Sequence, residues 1–205
     1  ESTYVSRLLL FMGLLSMAVA SLFMVGQRDM KRMLAYSSVE HMGILVLGLG
    51  LGAPALFGTL LHVVNNGLTK GILFLSAGNI HRAYNSKSTE QVSGAMRRLP
   101  LSGTLFLVGF LAITGSPPFG PFISEFMILN GAFATGRAAV GALFLVLLLI
   151  VFIGMGATVL KVVQGRPSFA ARGTPYCDSV LTGAPMLGLL ALVVVIGVAL
   201  PAPLA

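Results

Sequence analysis

Apolar residues in this chain come in long runs parted by short polar, glycine- or proline-marked corners. Each run is long enough to cross a hydrocarbon core of about 30 Å as a helix. The pattern predicts an all-α bundle with about six spans: Val5 to Val25, Leu34 to Leu51, Ala55 to Ile80, Leu101 to Thr135, Ala138 to Val163 and Leu181 to Leu200. The fourth is too long to be one straight helix, since it would run about 50 Å at 1.5 Å per residue. It also contains Gly115-Ser116-Pro117-Pro118-Phe119-Gly120-Pro121. Prolines remove backbone donors and disfavour helix in the residues before them, whereas a proline in the first turn of a new helix is well placed. The expectation is two half-helices joined by an unwound segment, with Gly115, Pro117, Pro118, Gly120 and Pro121 forming the break.

Composition agrees with the pattern. Hydrophobic residues make up 56% of the chain and charged residues 9%, with a mean hydropathy of +0.95, against roughly 25% charged in ordinary globular domains. The chain reads as a polytopic protein whose first partner is the lipid bilayer. A formal charge of +7 would suit nucleic acid, but the basic residues lie in loops between apolar runs, so nucleic-acid binding is excluded. Cys177 is the single cysteine, which leaves disulfide frameworks, iron–sulfur ligation and a zinc cluster without support, and no metal or other cofactor is expected. No nucleophile with its base and no phosphate loop appears, so no catalytic residue is assigned. The first residue is Glu1 rather than methionine and no signal-peptide pattern follows, so the start is expected to be missing.

Ionisable residues inside apolar spans are costly and are functional by default. His62, Asn66 and Lys70 fall at i, i+4 and i+8 of the third run and form one slowly drifting stripe. His62 alone would read as a satisfied interior histidine; with Lys70 two turns away, it reads as a relay. Glu125 falls just beyond the break, in the opening turns of the second half-helix, where the helix dipole favours its ionised form and burial its neutral one. Glu40 and His41 sit early in the second run. They are either solvated at the headgroup level or a proton entrance from that side.

Ten Lys and Arg residues (Arg28, Lys31, Arg32, Arg82, Lys87, Arg97, Arg98, Lys161, Arg166, Arg172) share one side of six crossings, and Arg7 and Arg137 the other. The positive-inside rule makes the first side cytoplasmic and both chain ends external. Discontinuous helices with charges at the break are a recurrent device of secondary transporters.

Three stretches, RDMKRMLAYSSVEHMG, LLHVVNNGLTKGILFLSAGNI and GSPPFGPFISEFMILNGAF, resemble the antiporter-like membrane subunits of respiratory complex I, Mrp-type sodium/proton antiporters and membrane-bound [NiFe]-hydrogenase complexes. The SSVEHMG and SAGNIHRAY segments are most similar to the hydrogenase-4 component F type. The resemblance implies a proton-translocating subunit of fourteen or so helices built from two inverted five-helix repeats, of which residues 1–164 would be the second repeat and 165–205 a loop with a last helix. It implies that Lys31 and Lys70 belong to a central polar axis, that Glu125 takes a position where relatives carry lysine or glutamate, and that Asn66 stands where some relatives have a second histidine. Its partners would be other membrane subunits and a peripheral [NiFe]-hydrogenase or dehydrogenase arm with iron–sulfur proteins, in a bacterial or archaeal inner membrane. The alternatives are a NADH-quinone oxidoreductase subunit, an Mrp-type antiporter subunit, or a membrane anchor that does not pump.

Overall fold

The computed structural model describes residues 2–167 and 174–199; Glu1, Arg172 and the Pro201-Ala202-Pro203 stop lie outside them. It contains helices α1 (Ser2–Met24), α2 (Met30–Leu51), α3 (Ala53–Tyr84), α4 (Ala95–Arg98), α5 (Pro100–Ile113), α6 (Gly120–Ala134), α7 (Ala138–Val163) and α8 (Val180–Val198). No β-strand is present among the described residues, only an isolated bridge between Asp29 and Ser88. Helices α1, α2, α7 and α8 are each long and apolar enough to cross a membrane. Helix α3 is longer, at 32 residues, but carries His62, Asn65, Asn66, Lys70, Asn79, His81 and Arg82 along its length.

Several boundaries differ from those expected. Helix α2 starts at Met30 rather than Leu34 because Asp29 caps it, accepting from the backbone N–H of Lys31 and Arg32. Helix α3 runs on to Tyr84, where Asn85 adopts a left-handed conformation and ends it. The polar stretch after it is therefore shorter than the sequence suggested.

Close approach sets the α1–α2 pairing. A Cβ on Gly13 would lie 2.8 Å from the Gly43 carbonyl oxygen, and one on Gly43 2.8 Å from that of Gly13, so the two helices touch backbone to backbone as small residues permit in membranes. At one end of the bundle, main-chain bonds from Met30 to Lys87 (3.0 Å), Thr89 to Arg28 (2.8 Å) and Gly94 to Gln164 (2.7 Å) tie the connections together. Asp178, from the α7–α8 connection, accepts from the N–H groups of Leu101 (2.9 Å) and Ser102 (3.0 Å). It thereby caps α5, whose own N-cap residue, Leu99, offers no side chain for the purpose. At the opposite end Arg137 donates to Ser6 Oγ (2.9 Å) and the Gly50 carbonyl (3.1 Å).

Large apolar side chains such as Leu8, Phe11, Leu22, Phe23, Ile153 and Val195 stand exposed on α1, α7 and α8. In water such a surface would aggregate; in a bilayer it is the solvent-facing surface, and the protein is integral to the membrane.

Asp29 links cap and loop. Partial burial works against its charge, but the N–H groups of Arg32 and Lys31 and the Lys87 ammonium, 3.2 Å away, prevail and hold its carboxyl below the usual value of 3.8. A depressed folded-state pKa contributes stability above the unfolded value that is lost as pH falls through the folded one. Asp29→Ala should lower stability by about 1 kcal/mol at neutral pH, read as the detergent-solubilised melting temperature, and the difference from wild type should shrink in strong acid. An equal deficit at all pH values would contradict the assignment.

Candidate functional site: a buried polar array beside a broken helix

Helices α5 and α6 are parted by residues 114–119. Helix α5 ends in a Schellman motif: Gly115, at φ 67°, donates to the Ala112 carbonyl (3.3 Å) and Ser116 to that of Leu111 (3.0 Å). Pro117 and Pro118 follow, joined by a cis peptide bond, and Gly120 and Pro121 open α6. All five residues expected at the break lie in or beside the interruption.

Three neighbours lie close on this joint. A Cβ on Gly115 would collide with the Glu125 carboxylate, one on Gly120 with the Asn65 side chain, and one on Gly197 of α8 with the Pro118 and Phe119 backbone. Through the last contact the C-terminal turn of α8 covers the break.

Glu125, in the second turn of α6, is 6% exposed, and its Oε1 has no hydrogen-bond partner. Beside it, Ser124 Oγ lies 2.9 Å from His62 Nδ1, and His62 Nε2 lies 3.0 Å from His41 Nδ1. The string runs through α6, α3 and α2. Ser124 Oγ also donates to the Pro121 carbonyl, at 2.9 Å. A hydroxyl has one proton to give, so Ser124 accepts from His62 Nδ1–H, His62 Nε2 is left as an acceptor, and His41 Nδ1–H donates to it. His41 Nε2 then faces Glu40 Oε2 at 3.6 Å, and that oxygen too lacks a hydrogen-bond partner.

Lys70 lies farther along α3. Its ammonium donates to Ser37 Oγ (2.7 Å) and the Leu34 carbonyl (3.1 Å) on α2. Both acceptors sit towards the N-terminal end of α2 relative to the histidine pair. Asn66, one turn from both Lys70 and His62 on α3, is buried with an unpartnered Oδ1.

The structure thus gathers Glu40, His41, His62, Lys70 and Glu125 into one buried region spanning α2, α3 and α6. Glu40 and His41 are each 1% exposed near the middle of α2, which rules out the solvated headgroup reading. Lys31 does not join them. It is exposed at the start of α2, and its backbone N–H serves the Asp29 cap. Asn65 and Ser124 went unnoticed in the sequence; the only local signal was Ser124 standing next to Glu125. The expected absence of a metal-ligand cluster rested on spacing along the chain, but in space one ligand atom from each of His41, His62 and Glu125 lies within 4.8 Å of the other two.

Residues 1–154 match the NADH:quinone oxidoreductase/Mrp antiporter transmembrane family. The chain belongs to this family. Among curated relatives, it is 39% identical over 173 residues to a hydrogenase-4 component F homolog of Methylacidiphilum infernorum, covering 84% of this chain and 34% of the relative. It is 33% identical over 148 residues to hydrogenase-4 component B of Escherichia coli, covering 66% of this chain and 22% of the relative. The chain therefore spans about a third or less of these relatives' length. Two solved structures share the fold: the Mrp complex from Dietzia sp. (TM-score 0.86, 20% identity, 95% of this chain and 44% of that one) and an archaeal membrane-bound sulfane sulfur reductase (TM-score 0.87, 23% identity, 94% and 32%).

Two glycines of the family segment test what the break requires. Gly136 closes α6 in the same Schellman geometry as Gly115, at φ 70°, but a Cβ there would meet open space. Gly136→Ala should cost only the left-handed backbone, about 1 kcal/mol. Gly115→Ala should cost clearly more, because the methyl also drives into the Glu125 carboxylate. Thermal denaturation of the two variants side by side measures the difference, and equal melting points would mean that Glu125 is not held against Gly115.

Proposed function

We propose that this chain is the proton-conducting half of an antiporter-like membrane subunit in a redox-driven complex of the hydrogenase-4 or formate hydrogenlyase kind. The observation that carries the reading is the hydrogen-bonded string His41–His62–Ser124, which joins three helices inside an apolar bundle and has Lys70 towards one end and Glu125 at the other. A histidine bonded at both nitrogens passes a proton along by taking it at one and releasing it from the other. Between Lys70 and the histidines, the unpartnered oxygens of Glu40 and Asn66 are acceptors for water, which bridges where no direct bond exists. Glu40 and His41 serve as the stage nearest Lys70 in this scheme.

In this reading α5 and α6 form one broken crossing, the fourth of six. The clustering of Arg28, Lys31, Arg32, Lys87, Arg97, Arg98 and Lys161 towards one end, against Arg7 and Arg137 at the other, supports a cytoplasmic basic end with both chain ends outside. Residues 1–164 act as the conducting repeat and 165–205 as a connection and covering helix. The component F homolog supports a hydrogenase-type assembly with other membrane subunits and a peripheral [NiFe]-hydrogenase or dehydrogenase arm bearing iron–sulfur centres, and its bacterial source supports a prokaryotic inner membrane.

In the complete complex, Glu125→Gln keeps the side chain's shape and removes the titrating group. It should reduce coupled proton uptake by roughly 10²-fold while the peripheral arm stays attached. Unchanged uptake would sink the role of Glu125. Lys70→Ala should likewise lower flux with assembly intact; impaired assembly with normal flux would favour a plain anchor. Exchange that requires sodium and no electron donor would move the assignment to sodium/proton antiport.

A further inference from the structure

We infer that His41, His62 and Glu125 form a binding site for a divalent transition-metal ion of the zinc type. The two inner ring nitrogens, His41 Nδ1 and His62 Nε2, face one another at 3.0 Å. Two nitrogens bound tetrahedrally at about 2.0–2.1 Å from one ion stand about 3.3 Å apart, so a few tenths of an ångström would admit it. The third ligand is the Glu125 carboxylate, within 4.8 Å of both rings and carrying an oxygen, Oε1, that is buried without any partner.

Metal-binding histidines donate their outer ring N–H to a polar partner, and one outer nitrogen has such a bond while the other faces a carboxylate. His62 Nδ1–H is held by Ser124 Oγ at 2.9 Å. His41 Nε2 faces Glu40 Oε2 at 3.6 Å, and when a metal takes Nδ1 the ring proton moves to Nε2 and meets that carboxylate. Two neutral imidazoles with the Glu125 and Glu40 carboxylates then offset the charge of the ion. A cavity of about 150 Å³, lined by Thr114, Gly115, Phe122, Phe126 and Phe144 among others, adjoins Glu125 between α6 and α7. Two imidazoles and a carboxylate suit zinc and exclude hard ions such as sodium or magnesium, which take oxygen ligands.

Binding needs only the geometry. Its consequence, that a bound ion occupies both lone pairs of the histidine relay and stops conduction, rests on the proposed function. The test separates them. The intact complex, purified in mild detergent without chelator, is titrated with Zn2+ by calorimetry, alongside His41→Asn and His62→Gln, which keep a polar group near each inner nitrogen but coordinate poorly. The expected result is one site whose affinity falls at least about 10-fold in each variant. Undiminished affinity in both variants, or no saturable site in the wild type, overturns the inference. X-ray absorption at the zinc edge of the wild-type protein gives a second reading that survives misfolding of a variant: two nitrogen ligands with imidazole scattering are expected, and an all-oxygen shell would refute the site. Zinc that binds as described yet leaves proton uptake unchanged would preserve the site and count against the relay.

Discussion

The interruption at residues 114–119, between two apolar helices, leaves carbonyl and N–H groups that a hydrocarbon surrounding cannot satisfy, and this constraint organises the rest of the bundle. Each unpaired group costs several kcal/mol in hydrocarbon. The chain meets the demand in two ways and covers the joint in a third. Gly115 lets α5 close on its own carbonyls through 3.3 and 3.0 Å bonds. Pro117, Pro118 and Pro121 carry no N–H to leave unpaired. Gly197 lets α8 lie directly against the Pro118 and Phe119 backbone, while Gly120 admits the Asn65 side chain. Side chains larger than glycine at these positions would push the covering elements away and leave the joint open to lipid.

The same constraint accounts for the position of the polar array. Once α3 must come close enough for Asn65 to reach Gly120, the helical periodicity turns His62, one turn earlier, towards α6 and Ser124. Arg137 and the Gly13–Gly43 contact hold α1 and α2 on the other flank, which presents His41 to the remaining nitrogen of His62. The buried polar groups thus sit where the break obliges helices to converge, and they receive partners from elements that are present for a different reason.

This explains which features were legible in the sequence. The break was readable because proline and glycine act locally, and the stripe His62–Asn66–Lys70 because its spacing is that of one helix. Membership of the family was likewise carried by local motifs. The histidine pair was not readable, since it depends on the rotation of α2 against α3, which no local pattern encodes. Ser124 and Asn65 were overlooked because small polar residues are common in membrane helices as packing groups. Lys31, assigned by resemblance alone, is exposed; the Asp29 cap that starts α2 one turn earlier than hydropathy suggested keeps it outside the bundle. The contact of α8 with the break could not be read from the sequence, because it is made at Gly197, a residue with no side chain.

The array is interrupted, and under the proposed function the interruption suits conduction that must be controlled. Ser37 and His41 are one turn apart on α2, about 6 Å of rise, so Lys70 bonded to Ser37 does not touch the histidines. Glu40, next to His41, and Asn66, one turn before Lys70, carry unpartnered oxygens. An unbroken chain of hydrogen bonds would carry protons whenever a gradient existed and would dissipate it. A chain with one missing link conducts only when that link is made, by water, by movement of the Lys70 ammonium, or by a change in the charge of Glu40. Leaving buried oxygens unsatisfied is costly, and the cost has a use if the same atoms must later accept a proton or a water. Under the proposed function, the gap between Lys70 and the histidines is therefore the place where redox events elsewhere in the complex would act.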